Sequence, residues 1–180
     1  MKRYYGLLII LLLLFSLLAA TSCSKKEEPP PVLMRQGWVN DYAGVLTQED
    51  KTRLAAVLAD YEKETCHQIF LLIVPSLGGE NMEEFSQRTA KAWEIGQPGF
   101  GDGFLVTVAM QEGKIRIETG TYFEWFIQDG TAGKILQEVM IPLFKEKKFV
   151  EGLERGLDEI MAAGRSKPIP EDQKPDICRP

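Results

Sequence analysis

Histidine occurs once, at His67, and cysteine only at Cys23, Cys66 and Cys178. One imidazole argues against a multi-histidine zinc site and against a histidine-based triad. No Cys-x-x-Cys pair is present, which removes the dithiol redox motif and the cysteine-rich zinc centre. The chain has neither a phosphate-cradling P-loop nor a Gly-x-Ser-x-Gly nucleophile turn. Its glycine-rich stretch, Gly96 to Gly103, leads into a strand rather than a helix, the wrong context for a dinucleotide fingerprint. No internal repeat is visible. The one long apolar run, Leu7 to Ala20, is broken by Ser16 and falls short of the ~20 residues a membrane-crossing helix needs.

That run follows Lys2 and Arg3 and ends in Ala19-Ala20-Thr21-Ser22 before Cys23, the pattern of a secretory segment with a small-residue cleavage site. The join resembles a bacterial lipobox, although Leu18 lies one position further from Cys23 than the favoured leucine. Residues 1–22 therefore read as a lipoprotein signal peptide, with Cys23 as the acylated first residue of an exported domain. The expected location is the bacterial cell envelope, facing outside the cytoplasm; Ser24 is compatible with onward sorting to an outer membrane. Without Lys2 and Arg3, 19 of the 21 basic residues face 26 acidic ones, a charge of −7 that disfavours nucleic acid and anionic headgroups as ligands.

Residues 23–37 read as a tether: charges and Pro29-Pro30-Pro31 favour extended polyproline II over a core. At ~3.1 Å per residue, Ser24 to Gln36 would hold a domain roughly 40 Å from the lipid. The domain begins near Trp38 and runs to 164, and the polar, proline-studded residues 165–180 read as a loose tail. Cys66 and Cys178 fit two readings equally, a disulfide in an exported protein or two separate thiols.

Within the domain, Thr47 followed by Glu49 and Asp50 outlines a capped helix with Leu54, Val57, Leu58 and Tyr61 on one face. Gln68 to Val74 is a continuous apolar run ended by Pro75, the mark of a buried central strand. A second helix covers 82–94, with Phe85, Thr89 and Trp93 inward. Strands over 104–110 and 114–119 flank a turn at Gln111-Glu112-Gly113. A third helix, from Ile135 to Phe144, is expected to kink at Pro142. A fourth carries Leu153, Leu157, Ile160 and Met161. This order predicts an α/β sandwich with a small mixed sheet flanked by four helices, strands 68–74 and 104–110 pairing in parallel across the second helix.

Oxygen ligands are the chemistry that remains. Hairpin pairing brings Asp102 to the same sheet edge as Gly120–Glu124, with Glu118 close by and Asp129 leading into the third helix. These carboxylates outline an oxygen cage for Ca²⁺, Mg²⁺ not being excluded. The plainer alternative has Asp129 capping its helix, Glu124 solvated and Asp102 shaping a turn with Gly103. His67 reads as a strand-end residue rather than a catalytic base.

Val39-Asn-Asp-Tyr-Ala-Gly-Val-Leu46, Val74-Pro-Ser-Leu-Gly-Gly79, Trp93-Glu-Ile-Gly-Gln97, Gly101-Asp-Gly103, Ile115-Arg-Ile-Glu-Thr-Gly120 and Ile141-Pro-Leu-Phe144 together resemble the TPM-domain family. The likeness extends from about Trp38 to Ala163. It implies a three-layer α/β/α sandwich, frequent export, divalent-cation binding in some members and acid phosphatase activity in certain plant members. Family acidic positions correspond to Asp41, Asp102, Glu118, Glu124 and Asp129. The chain departs from the family where an Asp-Asn-Gly becomes Gly101-Asp102-Gly103, and where two glycines become Tyr122 and Trp125. Those bulky groups disfavour the phosphatase alternative. The resulting expectation is a membrane-anchored, Ca²⁺-binding accessory domain for an envelope protein, with Tyr122, Trp125 and Phe126 as partner surface.

Cys23→Ala should abolish acylation and leave an uncleaved or mislocalised species. Intact-mass analysis and membrane fractionation test this; unchanged mass and distribution would contradict the lipoprotein assignment.

Overall fold

The computed structural model describes residues 31–128, 130–172 and 174–178. Cys23, the signal segment, most of the tether and Asp129 lie outside the described residues. Four strands form one sheet in the order β1-β2-β3-β4: β1 Val39–Asp41, β2 Gln68–Val74, β3 Gly103–Ala109 and β4 Lys114–Thr119. β1 and β3 both run parallel to β2, and β4 is antiparallel to β3. The mixed α/β sandwich is as the sequence indicates. The strand it did not indicate is β1, whose three residues are too few to show an alternating pattern.

Helix α1 (Gln48–Thr65) starts at a capping box in which Asp50 N–H donates to Thr47 Oγ1 and the Asp50 carboxylate accepts from Thr47. It ends at Cys66 in the left-handed region, φ 68°. Helix α2 (Met82–Ala92) is capped by Asn81, whose side chain accepts from Glu83 N–H. After β4 a single 3₁₀ turn (Thr121–Phe123) leads to α3 (Glu124–Gln128) and α4 (Thr131–Lys134). A π-helical stretch, Ile135–Met140, then runs into α5 (Ile141–Lys145). The irregularity expected at Pro142 thus takes the form of a widened turn just before the proline, which lacks the N–H of a regular ladder. Helix α6 (Phe149–Arg165) completes the fold.

Why β2 is apolar at nearly every position follows from its two covers. Ile69, Leu71 and Ile73 pack with Leu58, Tyr61, Leu157 and Ile160 of α1 and α6. Phe70, Leu72 and Val74 pack with Met82, Phe85 and Trp93 on the α2 side. At ~25 cal/mol per Å², each fully buried large side chain contributes roughly 1.5–3 kcal/mol before its entropy is counted. Sheet and helices therefore form three layers with two cores.

Segments on either side of residues 38–164 pack against the domain. Trp93 Nε1–H donates to Leu33 O at 2.7 Å, Arg35 donates to Trp93 O at 3.1 Å, and the Arg35 guanidinium stands 5.0 Å over the Phe70 ring. The stretch from Leu33 to Gly37, expected to belong to the tether, is therefore stitched to the α2 side. At the other end the tail is tied back: Ile169 is buried and a disulfide joins Cys66 to Cys178, with Cα atoms 5.7 Å apart.

Close backbone approaches fix the loop before β3. A Cβ on Gly120 would come within 2.0 Å of Gly101 O, and one on Gly103 within 2.6 Å of Gly96 N. Only glycine lets these backbones meet. Gly120→Ala should therefore lower stability by about 2–3 kcal/mol, as overpacking against immovable backbone does; chemical denaturation tests this, and an unchanged midpoint would contradict it.

Candidate functional site

Parallel pairing of Gln68 with Gly103 places the residues just before them, His67 and Asp102, side by side. Both side chains are fully buried. Asp102 Oδ2 lies 3.1 Å from His67 Nδ1, and Asp102 Oδ1 accepts the Gln97 N–H. The other ring nitrogen, His67 Nε2, faces Lys167 O at 3.1 Å. A carbonyl only accepts, so Nε2 donates to Lys167 O, and Nδ1 faces the Asp102 carboxyl. Both groups thereby have bonded partners, which is what permits their burial.

Neighbouring polar groups hold the loop that supplies Asp102. Gln97 Nε2 donates to Cys66 O at 3.3 Å, and Gly96 N–H donates to Gln68 Oε1 at 2.8 Å. Gln68 in turn donates to Glu62, which also receives Trp38 Nε1–H. Aromatic rings close the His67 cavity: Phe123 edge-on at 4.8 Å, Tyr122 at 5.7 Å and Tyr61 at 6.5 Å between centroids. The Tyr61 hydroxyl is buried without a partner, and desolvation pushes it up to about 12. Burial, with a smaller effect from Asp102, also raises Tyr122. Gly164 leaves room here, because a Cβ would stand 2.0 Å from the Tyr61 hydroxyl oxygen.

The four acidic positions among the described residues, Asp41, Asp102, Glu118 and Glu124, do not gather. Asp41 pairs with Ile73, at the far end of β2 from Asp102, roughly 20 Å away at ~3.3 Å per residue. Its carboxylate accepts from Gly44 and Leu46 N–H at 2.8 and 2.9 Å, and Lys51 Nζ stands 3.4 Å away. Glu118 lies opposite Leu105, on the α2 face, and binds Arg116 Nε at 2.8 Å. Glu124 is exposed at the start of α3. No group of three or more His, Cys, Asp or Glu side chains is placed to hold a metal ion among the described residues. The donors present do not fit a Ca²⁺ cage: Asp41 and Asp102 spend their oxygens on protein groups.

The aromatic trio divides as well. Phe126 is fully buried and packs edge-on against Phe104, so it is core and not surface. Tyr122 and Trp125 are half-buried. Lys167 Nζ stands 5.2 Å over the Tyr122 ring and 5.4 Å over Trp125, and Tyr122 O–H donates to Pro168 O at 3.1 Å. The residue that sequence reasoning undervalued is His67. Its signal was present: two parallel strands with aligned starts put the preceding residues in contact.

A three-layer α/β/α domain with a buried Asp–His pair where its two central parallel strands begin is the class these observations define. The sequence matches the TPM domain over residues 39–163, and the chain belongs to the TPM-domain family. No curated protein matches it with significance. Among solved structures, the N-terminal domain of a protein from P. gingivalis is 25% identical, with a TM-score of 0.64, over 73% of this chain and 85% of that one. The N-terminal domain of the cg2496 protein from Corynebacterium glutamicum gives 19% identity and a TM-score of 0.57, over 78% and 91%. The BA42 protein from Bizionia argentinensis gives 17% and 0.62, over 73% and 90%; these last two likenesses show the fold.

Asp102→Ala should cost about 3–5 kcal/mol by leaving His67 and Gln97 N–H without their buried acceptor. Asp102→Asn should cost much less, because its amide can donate to a neutral His67 Nδ1 while its oxygen still accepts from Gln97. Urea denaturation of both variants checks this, and equal losses would contradict the bonding pattern.

Proposed function

We propose that this chain is a membrane-anchored, extracytoplasmic accessory domain that binds an envelope protein and has no catalytic role. The observation that carries the reading is the full engagement of Asp102. The carboxylate at the family's Gly-Asp-Gly position is spent on His67 and Gln97 and is shut off from solvent. A nucleophile or general base must reach the reacting group. Neither Asp102 nor His67 does so, since Nε2 is covered by Lys167 O. The Cys66–Cys178 disulfide supports export, because such bonds persist in oxidising compartments. The lipobox resemblance before Cys23 supports the anchor.

Ca²⁺ or Mg²⁺ binding, which the resemblance implies, gains no support from the described carboxylates, and the reading assigns the domain no ion. A ligand at 100 times its Kd adds ~2.7 kcal/mol to the native state. For a domain of this size that would raise Tm by roughly 5–10 °C. The purified domain, melted with and without millimolar Ca²⁺, should show no such rise. Incubated with p-nitrophenyl phosphate and either cation, it should release no product above background. Metal-dependent turnover lost in Asp102→Asn would overturn the accessory reading in favour of a phosphatase.

A further inference from the structure

The TPM match ends at residue 163, yet the residues beyond it lie across the very edge where Asp102 and His67 meet. Lys167 N–H donates to Gly164 O at 3.0 Å, which turns the chain back at the end of α6. The Lys167 carbonyl then receives His67 Nε2–H, its ammonium covers Tyr122 and Trp125, and the Pro168 carbonyl receives the Tyr122 hydroxyl. Ile169 is inserted with 2% of its surface exposed, while Ser166, Lys167, Pro168 and Pro170 are exposed. So few buried atoms give the segment little local stability of its own. A covalent bond supplements them, Cys66–Cys178, whose first partner is the residue immediately before His67.

Two features show that the tail does not exhaust the bed it lies on. Trp125 Nε1–H is buried there with no acceptor. A cleft also remains beside the tail, lined by Glu64, Thr65, His67, Arg165, Pro168 and Lys174.

We propose that residues 166–169, tied down by the Cys66–Cys178 bond, form a thiol-releasable strap: with the two cysteines joined it occupies the groove of His67, Tyr122 and Trp125, and on reduction it vacates that groove for an extended, proline-containing segment of a partner that carries a cationic side chain. The partner's chemistry is that of the strap itself: carbonyls for His67 Nε2–H and the Tyr122 hydroxyl, and a cation for the two rings. Release needs an external dithiol. One of its thiolates attacks Cys178 Sγ, the sulfur of the less buried cysteine, and expels Cys66 as a thiolate that takes up a proton. The second thiol of the reductant then displaces Cys178, leaving two cysteine thiols and an oxidised reductant. The inference rests on the accessory reading, for which it names the surface, the partner chemistry and the control.

His67 is the chain's only histidine, so its imidazole Hε1 gives a single histidine signal of that type in the NMR spectrum and reports on the strap directly. Dithiothreitol, or Cys178→Ser in the full exported chain, should move that signal and speed amide exchange at residues 166–171 at least about tenfold. Ile169→Asp with the disulfide intact should move it in the same direction, which keeps the test valid if Cys178→Ser fails to fold. A synthetic peptide of residues 166–171, SKPIPE, should shift the Tyr122 and Trp125 signals saturably in reduced Ile169→Asp protein and leave oxidised wild type unchanged. An unmoved His67 signal on reduction would overturn the strap, and a peptide without effect on the reduced variant would overturn the partner assignment. Phosphatase turnover measured in parallel would sink the accessory reading while leaving the His67 result standing.

Discussion

A carboxyl and an imidazole, both cut off from water, meet where two parallel strands begin, and much of this end of the molecule is arranged to make that meeting tolerable. Moving either group alone into a low-dielectric interior would cost several kcal/mol, so each acceptor and donor around them has to be in place. The Gln97 amide, the Lys167 carbonyl and the contact between the two groups themselves complete the set. Gly101, Gly103 and Gly120 follow from the same demand, because the loop carrying Asp102 reaches His67 only if backbones touch where a Cβ would stand. The register between β2 and β3, the disulfide beside His67 and the turn after β4 are then one connected arrangement.

Much of the fold was legible because it is written in periodicities that short-range physics imposes. A seven-residue apolar run ended by proline has few alternatives to a doubly covered strand, and β2 is one. Thr47 and Asp50 announce α1 through bonds made within one turn of chain. β1 was missed because Val39–Asp41 is stabilised by its neighbour, through Leu71 N–H to Trp38 O and Tyr42 N–H to Ile73 O, and not by any pattern of its own. The packing of the segments on either side of residues 38–164 was hidden for a related reason. Leu33 and Ile169 are single apolar residues in polar, proline-rich surroundings, and only the finished surface shows that each is held against it.

The site was less legible than the fold because a carboxylate's use depends on which donors reach it first. Asp41 looked like a ligand by family position, but the turn that follows β1 aims two well-placed amides and a lysine at it. Glu118 sits on the strand as expected, yet side-chain alternation sends it to the α2 face, where Arg116 claims it. Phe126 follows half-buried Trp125 in α3 and itself faces inward, a distinction of about 100° of rotation that no residue type encodes. These differences leave the described carboxylates apart from one another, each in its own local setting.

The stitching of Leu33 and Arg35 to Trp93 has a consequence for how the α2 layer is held. Both residues reach Trp93 from ahead of the first strand, so the folded body already begins there. Trp93 thereby couples the end of α2 to the approach of β1, and a change to its ring or its backbone carbonyl is felt at both.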